Sequence, residues 1–97
     1  MNGLNFDTLL LEVKSFLNFT WVDQSREDRI ILYIKSSIAY LEEVAGVEID
    51  FEKDFLAKDL LLNRVLYMDS MALDDFKNNY AGYLEELKIK YLPEADD

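Results

Sequence analysis

The chain contains no cysteine and no histidine, and it has only three glycines and one proline among 97 residues. Without cysteine there is no disulfide, no thiolate nucleophile and no thiolate metal site. Without histidine the chain lacks the commonest general base and the commonest ligand of transition metals. The scarcity of glycine and proline favours long helices over a β fold with many turns. With no apolar run of about 18 residues and no basic-then-apolar start, the sequence predicts neither a membrane span nor a signal peptide.

Basic residues are also few, with ten Lys and Arg against twenty Asp and Glu, which gives a net charge of −10. Such a chain repels DNA phosphates and anionic membranes. The negative field can serve solubility, attraction to a basic protein, or a surface that DNA passes without adhering. The apolar content of 51% excludes a disordered chain, and the length indicates one domain with a single core.

Two amphipathic helices are predicted in the first half of the chain. The first runs from Phe6 to Leu17 and stops at Asn18, because apolar residues recur there at helical spacing. The second begins near Ser25, capped by Ser25 or by Asp23, and ends where Gly46 takes a left-handed conformation. Its predicted apolar face comprises Ile30, Ile34, Ile38, Leu41 and Ala45.

The loop from Asn18 to Gln24 holds the only tryptophan, Trp21. Its ring either anchors an interface with another protein or covers the core beside the first helix, and we favour the second interpretation.

An acidic turn follows Gly46, and its apolar residues alternate with acids, which predicts an extended connection. Either Asp50 or Asp54 caps the next helix, and the acids favour its positive N-terminus. A divalent-cation site is the alternative, but the glycine-broken loop of an EF-hand is missing, so we expect no metal. The acids of this turn are Glu48, Asp50, Glu52 and Asp54.

The third predicted helix, over Phe55 to Met68, is apolar nearly all round, which is typical of a helix buried on several sides. Some of this apolar surface either packs into the core of the chain or contacts another subunit. Arg64 lies among the apolar residues, and we expect it to reach solvent or to pair with a neighbouring acid. The candidates for core or subunit interface are Leu56, Leu60, Leu61, Tyr67 and Trp21.

The C-terminal part is ambiguous in sequence. A short fourth helix is predicted over about 71–80, capped by Asp69 or Ser70, and residues 92–97 are predicted to be disordered. Over residues 81–92, the apolar residues fit both the spacing of a helix and the alternation of a strand. We therefore expect the conformation of this segment to depend on a partner. The predicted fold class is therefore all-α, a single-domain bundle of three main helices, a short fourth helix and a partner-dependent C-terminal segment.

No catalytic constellation emerges from the sequence. The adjacent acids Glu42 and Glu43, like Asp74 and Asp75, point about 100° apart on a helix and cannot converge on one substrate atom. Phosphate-binding glycine loops are missing. We expect neither an enzyme nor a cofactor.

Several stretches together resemble one protein family. The chain has Trp21-Val22-Asp23, then SSIAYLEEVAGVEIDFEKDFLAKDLLLNRVLY and then ALDDFKNNY. In this order and spacing they are similar to the phage head–tail connector family, the small helical adaptor or head-completion proteins of tailed phages and prophages. The resemblance runs from the first helix to Tyr80. Its most specific pieces are YLEEVAGVEIDF, AKDLLLNRVLY and ALDDFKNNY.

The resemblance implies a structural virion protein, made in the host cytoplasm, that forms a ring of twelve copies beneath the portal. The ring would extend the DNA channel, let DNA pass without specific binding, present a platform for a stopper or tail-completion protein, and involve no membrane. By analogy, the acidic turn of Glu48, Asp50, Glu52 and Asp54 would face the channel or a partner. The expected portal-docking residues are Tyr80, Tyr83, Leu87, Ile89 and Tyr91.

The alternative hypothesis is a small acidic helical inhibitor or regulatory module that imitates DNA and binds a single protein partner. The net charge suits it, but mimicry requires carboxylates in rows at phosphate-like spacing. Here lysines interrupt the acids: Lys53, Lys58, Lys77, Lys88 and Lys90.

Overall fold

A computed structural model describes residues 6–18 and 23–93, and over these residues the chain folds into five α-helices without a strand. The predicted all-α class is confirmed. The helices are α1 (Phe6–Phe16), α2 (Gln24–Ala45), α3 (Phe55–Asp69), α4 (Leu73–Asn79) and α5 (Ala81–Lys90). Within the described ranges, no helix combines the length and apolar character that a bilayer crossing requires.

Helix α2 follows its predicted apolar stripe, since all five predicted residues are buried. Its N-cap is Asp23, whose carboxylate accepts a hydrogen bond from the backbone N–H of Arg26 at 3.3 Å. Of the two caps considered, Asp23 is therefore confirmed and Ser25 is wrong. Asp23 lies outside the helix in an extended conformation, which is where a short acceptor side chain reaches the free N–H groups.

The end of α2 depends on Gly46, which has a φ of 79° and donates its N–H to the carbonyl of Glu42. This left-handed conformation was predicted, and it favours glycine because a Cβ would approach the following carbonyl. A Cβ built on Gly46 meets no atom within 4 Å, so the strain of a larger residue there is conformational only.

Replacing Gly46 with alanine should therefore lower the free energy of unfolding by about 1 kcal/mol. Gly82 provides a matched control, because it also has open space around its position but lies inside α5 with helical geometry. Gly82→Ala should raise the free energy of unfolding by about 1 kcal/mol. Urea unfolding followed by circular dichroism measures both, and shifts of the same sign would contradict the prediction.

Helix α3 is the centre of the fold, because it packs against α1, α2, α4 and α5. The connection before it inserts Ile49 and Phe51 into the core. It was predicted to be extended, but residues 51–53 form a turn in which the Asp54 N–H donates to the carbonyl of Asp50 at 2.9 Å. Its path is fixed by a hydrogen bond from the Ile49 N–H to Glu42 Oε2 at 3.0 Å. The turn then closes at Asp54, the N-cap of α3.

The C-terminal part differs from the prediction in two ways. Neither Asp69 nor Ser70 caps α4; its N-cap is Ala72, with no side-chain hydrogen bond, and Met71 before it has a positive φ of 58°. Residues 81–90 form a helix within the monomer, packed against α2, α3 and α4, so this part of the segment needs no partner to fold. Of the segment predicted to be disordered, residues 94–97 lie outside the described residues.

Candidate functional site

One face of α3 remains apolar and open. Phe55, Leu62 and Leu66 are spaced by seven and four residues, so they share a face of the helix opposite Leu61 and Arg64. Phe55 is 71% exposed, and Leu62 and Leu66 are half-buried. We name these three residues the outer face of α3. Helix α3 is thus apolar on two sides, and the monomer fully covers only one.

A groove continues this surface toward α5. It has a volume of about 250 Å³. Two of the apolar side chains that line it are Leu56, which is half-buried, and Tyr83, which is exposed. The hydroxyl of Tyr80 donates to Asn63 Oδ1 at 3.0 Å across the groove. We name it the α3–α5 groove, and its lining is Leu56, Asp59, Leu60, Asn63, Tyr80 and Tyr83.

An aromatic cluster holds α4 against α3. The rings of Tyr67 and Phe76 meet edge-on with centroids 5.7 Å apart, and Phe76 stacks on Tyr80 at 4.9 Å. Asn79 Nδ2 donates to the hydroxyl of Tyr67 at 3.1 Å. Tyr67 and Tyr80 therefore already have structural partners within the monomer.

The predicted portal-docking residues do not form one stripe. Leu87 is completely buried, while Tyr80 and Tyr91 are half-buried and hydrogen-bonded. Only Tyr83 and Ile89 expose large apolar area. Six residues separate them on α5, so they point about 120° apart. Tyr83 belongs to the α3–α5 groove, and Ile89 does not line it.

Asp54, predicted as part of an acidic surface, instead lies inside the monomer. It is 6% exposed and accepts the N–H of Ala57 at 3.0 Å. The hydroxyl of Tyr91 donates to its second oxygen, and Lys90 Nζ lies 3.0 Å from the first. The carboxylate thereby joins the start of α3 to the end of α5, so Asp54 is not available to a channel or partner.

These contacts change the pKa values of both partners. Burial acts to raise the pKa of the Asp54 carboxyl, but the hydrogen bonds from Tyr91, Ala57 and Lys90 outweigh it, so that pKa is lowered. Burial, the hydrogen bond to Asp54 and the charges of Asp54 and Asp50 raise the pKa of Tyr91 to about 12. At neutral pH the pair is therefore a carboxylate accepting from a neutral phenol.

The other three acids of the turn are more accessible to solvent than Asp54. Glu48 and Glu52 are exposed, and Asp50 is half-buried and accepts the N–H of Glu52 at 3.0 Å. Among the residues that the structure describes, no group of three or more acidic side chains is arranged to hold a metal ion. The acidic surface here consists of Glu48 and Glu52, with Asp50 partly accessible.

The residues predicted for the core or a subunit interface differ in burial within the monomer. Leu60 and Leu61 belong to the core, whereas Leu56 and Tyr67 are half-buried at its edge. Trp21 lies outside the described residues.

Arg64 contradicts the prediction that it reaches solvent or pairs with an acid. It is only 8% exposed, and its Nη1 donates to the hydroxyls of Ser37 at 3.0 Å and Ser36 at 3.3 Å. Its guanidinium lies over the ring of Tyr40, 4.5 Å from the centroid. No local signal could predict this, because the serines and Tyr40 belong to α2.

Comparisons with protein-family models, with curated proteins and with solved structures find no match to this chain. The outer face of α3 lies beside the α3–α5 groove, and together they leave Phe55 and Tyr83 exposed.

Proposed function

We propose that this chain is a subunit of a head–tail connector in a tailed phage or prophage. Twelve copies form a ring beneath the portal, extend the DNA channel and present a platform for a stopper or tail-completion protein. The family resemblance is the origin of this proposal, and the open apolar face of α3 is the structural observation that supports it.

In a ring, the outer face of α3 would contact a neighbouring subunit. Closed rings use a heterologous interface, in which one face of a subunit meets a different face of the next. Phe55, the first residue of α3, is a large side chain left mostly in water, and Leu56 and Leu66 later in the helix are partly exposed. Aromatic and aliphatic side chains of this kind supply most of the energy of protein interfaces. Contact with a neighbouring subunit would bury them.

The charge distribution also suits a wall that DNA slides past. Among the described residues, four cations form ion pairs: Lys14 with Glu27 at 2.8 Å, Arg26 with Asp69 at 2.9 Å, Lys58 with Glu12 at 2.9 Å and Lys90 with Asp54 at 3.0 Å. Cations engaged in this way are less available to phosphate. With a net charge of −10, the surface repels the DNA backbone.

The DNA-mimic hypothesis gains less support. Two of the acids that a mimic would display, Glu12 and Glu27, are paired with lysines, and Asp54 is buried. A mimic also has no need of an open apolar face on α3.

Native mass spectrometry of the purified protein, alone and mixed with a portal, tests the proposal. We expect a twelve-subunit ring, either free or formed on the portal. Negative-stain images should show a ring with a central channel. A strict monomer that ignores portals and instead binds a DNA-processing enzyme would overturn the connector hypothesis in favour of the inhibitor.

Phe55→Asp should abolish ring assembly without unfolding the subunit, because the side chain is exposed in the monomer and would be buried in the ring. Loss of one anchor residue makes the free energy of association less favourable by about 2 kcal/mol or more at each interface. A closed ring repeats that loss at every subunit contact. The matched control is Leu32→Asp, the same charge change at an exposed leucine of α2. Circular dichroism should show both variants folded, and a ring that persists in Phe55→Asp would remove the outer face of α3 from the interface.

A further inference from the structure

Arg64 is a buried cation without a carboxylate partner. None of the ion pairs among the described residues includes it, and its hydrogen bonds go from Nη1 to Ser36, Ser37 and the sulfur of Met68. This contrasts with the surface cations, several of which are paired with acids. Neutral hydroxyls and a thioether compensate a buried positive charge less well than an anion does.

The guanidinium has donors left over. Over the part of the chain that the structure describes, Nε and Nη2 of Arg64 make no hydrogen bond, and no buried side-chain nitrogen or oxygen lacks a partner. These two nitrogens are therefore not sealed in the core and have access to open space. Arg64 also lines a groove of about 240 Å³ between α2, α3 and α4.

The groove combines charge with apolar walls. Besides Arg64 it holds a second cation, Lys77, and a single acid, Asp74, three residues earlier on α4. We name it the Arg64 groove, and its lining is Tyr40, Arg64, Leu73, Asp74, Phe76 and Lys77. Two cations against one anion leave room for one negative charge.

We propose that the Arg64 groove binds a carboxylate attached to a small apolar body. The free Nε and Nη2 edge of Arg64 presents two parallel N–H donors, which match the two oxygens of a carboxylate. Lys77 adds a second positive charge at the mouth of the groove. Tyr40, Leu73 and Phe76 pack against the apolar body of the ligand.

The groove favours a carboxylate over phosphate for electrostatic reasons. A phosphate carries close to two negative charges at neutral pH, and the second would face Asp74 without a further cation in the groove. The Tyr40 ring already occupies one face of the guanidinium, so the ligand approaches along the edge of its plane. A planar monoanion satisfies this geometry and brings the net charge of the groove from +1 to zero.

Phenylacetate is a suitable probe, and the ¹⁵N–¹H resonance of Arg64 Nε reports its binding directly. We expect this resonance to shift saturably with phenylacetate and not with 2-phenylethanol, which has the same apolar body without the carboxylate. Inorganic phosphate should bind more weakly than phenylacetate. A concentration series of the protein alone tests whether a carboxylate of a second copy fills the groove, since the same resonance would then move without added ligand.

Variants locate the site. Arg64→Met should weaken phenylacetate binding by about tenfold or more, because two charge-assisted hydrogen bonds are lost. Since this variant lacks the reporting resonance, the affinities of all variants are measured by isothermal titration calorimetry. Lys77→Met, at an exposed position that leaves the fold intact, should weaken it by about twofold to fivefold. The control Lys53→Met removes an exposed lysine of the acidic turn and should leave the affinity unchanged.

Three results would overturn the proposal. The first is an Arg64 resonance that moves neither with phenylacetate nor with protein concentration. The second is an equal response to 2-phenylethanol or a tighter response to phosphate, either of which removes the selectivity for a carboxylate. The third is an affinity that both Arg64→Met and Lys77→Met leave unchanged, which would place binding outside the Arg64 groove.

Discussion

Leu61→Asp should unfold the subunit. Leu61 is completely buried on the core side of α3, the helix that every other helix contacts. The substitution removes a well-packed side chain and places a carboxylate in the core, at a combined cost of about 5 kcal/mol or more. The total stability of a small domain is about 5–15 kcal/mol. Circular dichroism should show lost helicity, or a melting temperature far below that of the wild type.

Leu32→Asp separates this effect from the general consequences of adding an acid to an acidic chain. Leu32 is 65% exposed on α2, so the same substitution there should change the free energy of unfolding by about 0.5 kcal/mol. If Leu61→Asp stays folded and loses only ring assembly, then Leu61 belongs to a subunit interface and the packing described for α3 is wrong.

The parts of the fold that depend on local sequence could be predicted. The apolar stripe of α2 and its glycine stop follow from helical spacing and from the conformational freedom of Gly46, and both involve residues within a few positions of one another. The N-cap Asp54 was one of two predicted candidates for the same reason. Caps and stripes are encoded by neighbours in the chain, so one sequence is sufficient to find them.

The contacts that define the candidate sites are of another kind. Arg64 meets Ser37 across 27 residues, and Tyr91 meets Asp54 across 37. Neither pair has a spacing rule, so Arg64 was expected in solvent or beside an acid, and Asp54, although a candidate N-cap, was also expected on an exposed acidic turn. Which of two polar groups is buried depends on how the helices pack, and a single sequence does not specify that packing.

In α5 the apolar residues fit both the two-residue period of a strand and the 3.6-residue period of a helix. Leu87, Ile89 and Tyr91 alternate with lysines as in a strand, yet Leu84, Leu87 and Tyr91 also have the spacing of a helix face. Packing resolves the ambiguity, because the helical form buries Leu84 and Leu87 against the other helices and leaves Ile89 outside. The predicted docking stripe disappears for the same reason, since strand alternation would have placed Leu87, Ile89 and Tyr91 on one side.

Asp54→Ala should lower the free energy of unfolding by about 3 kcal/mol, of which about 1 kcal/mol comes from the lost N-cap and the rest from hydrogen bonds to a charged acceptor. The loss should be greatest at the end of α5, where Tyr91 and Lys90 lose their partner. Amide hydrogen exchange should therefore accelerate more in α5 than in α2.

In a double-mutant cycle that combines Asp54→Ala with Tyr91→Phe, we expect a coupling free energy of about 1 kcal/mol or more. Additive effects would mean that the hydroxyl of Tyr91 does not stabilise the carboxylate.

The contribution of the Asp54 charge should disappear in acid. Its pKa is lowered in the folded protein relative to an unfolded value of about 3.9, so its stabilisation is complete above the unfolded pKa and is lost as pH falls through the folded one. Asp54→Asn isolates this charge, because asparagine is an equally good N-cap but does not ionise. The difference in free energy of unfolding between wild type and Asp54→Asn should be constant from about pH 7 to 5 and shrink below about pH 4. A difference that persists in acid would show that the shape of the side chain, and not its charge, joins α3 to α5.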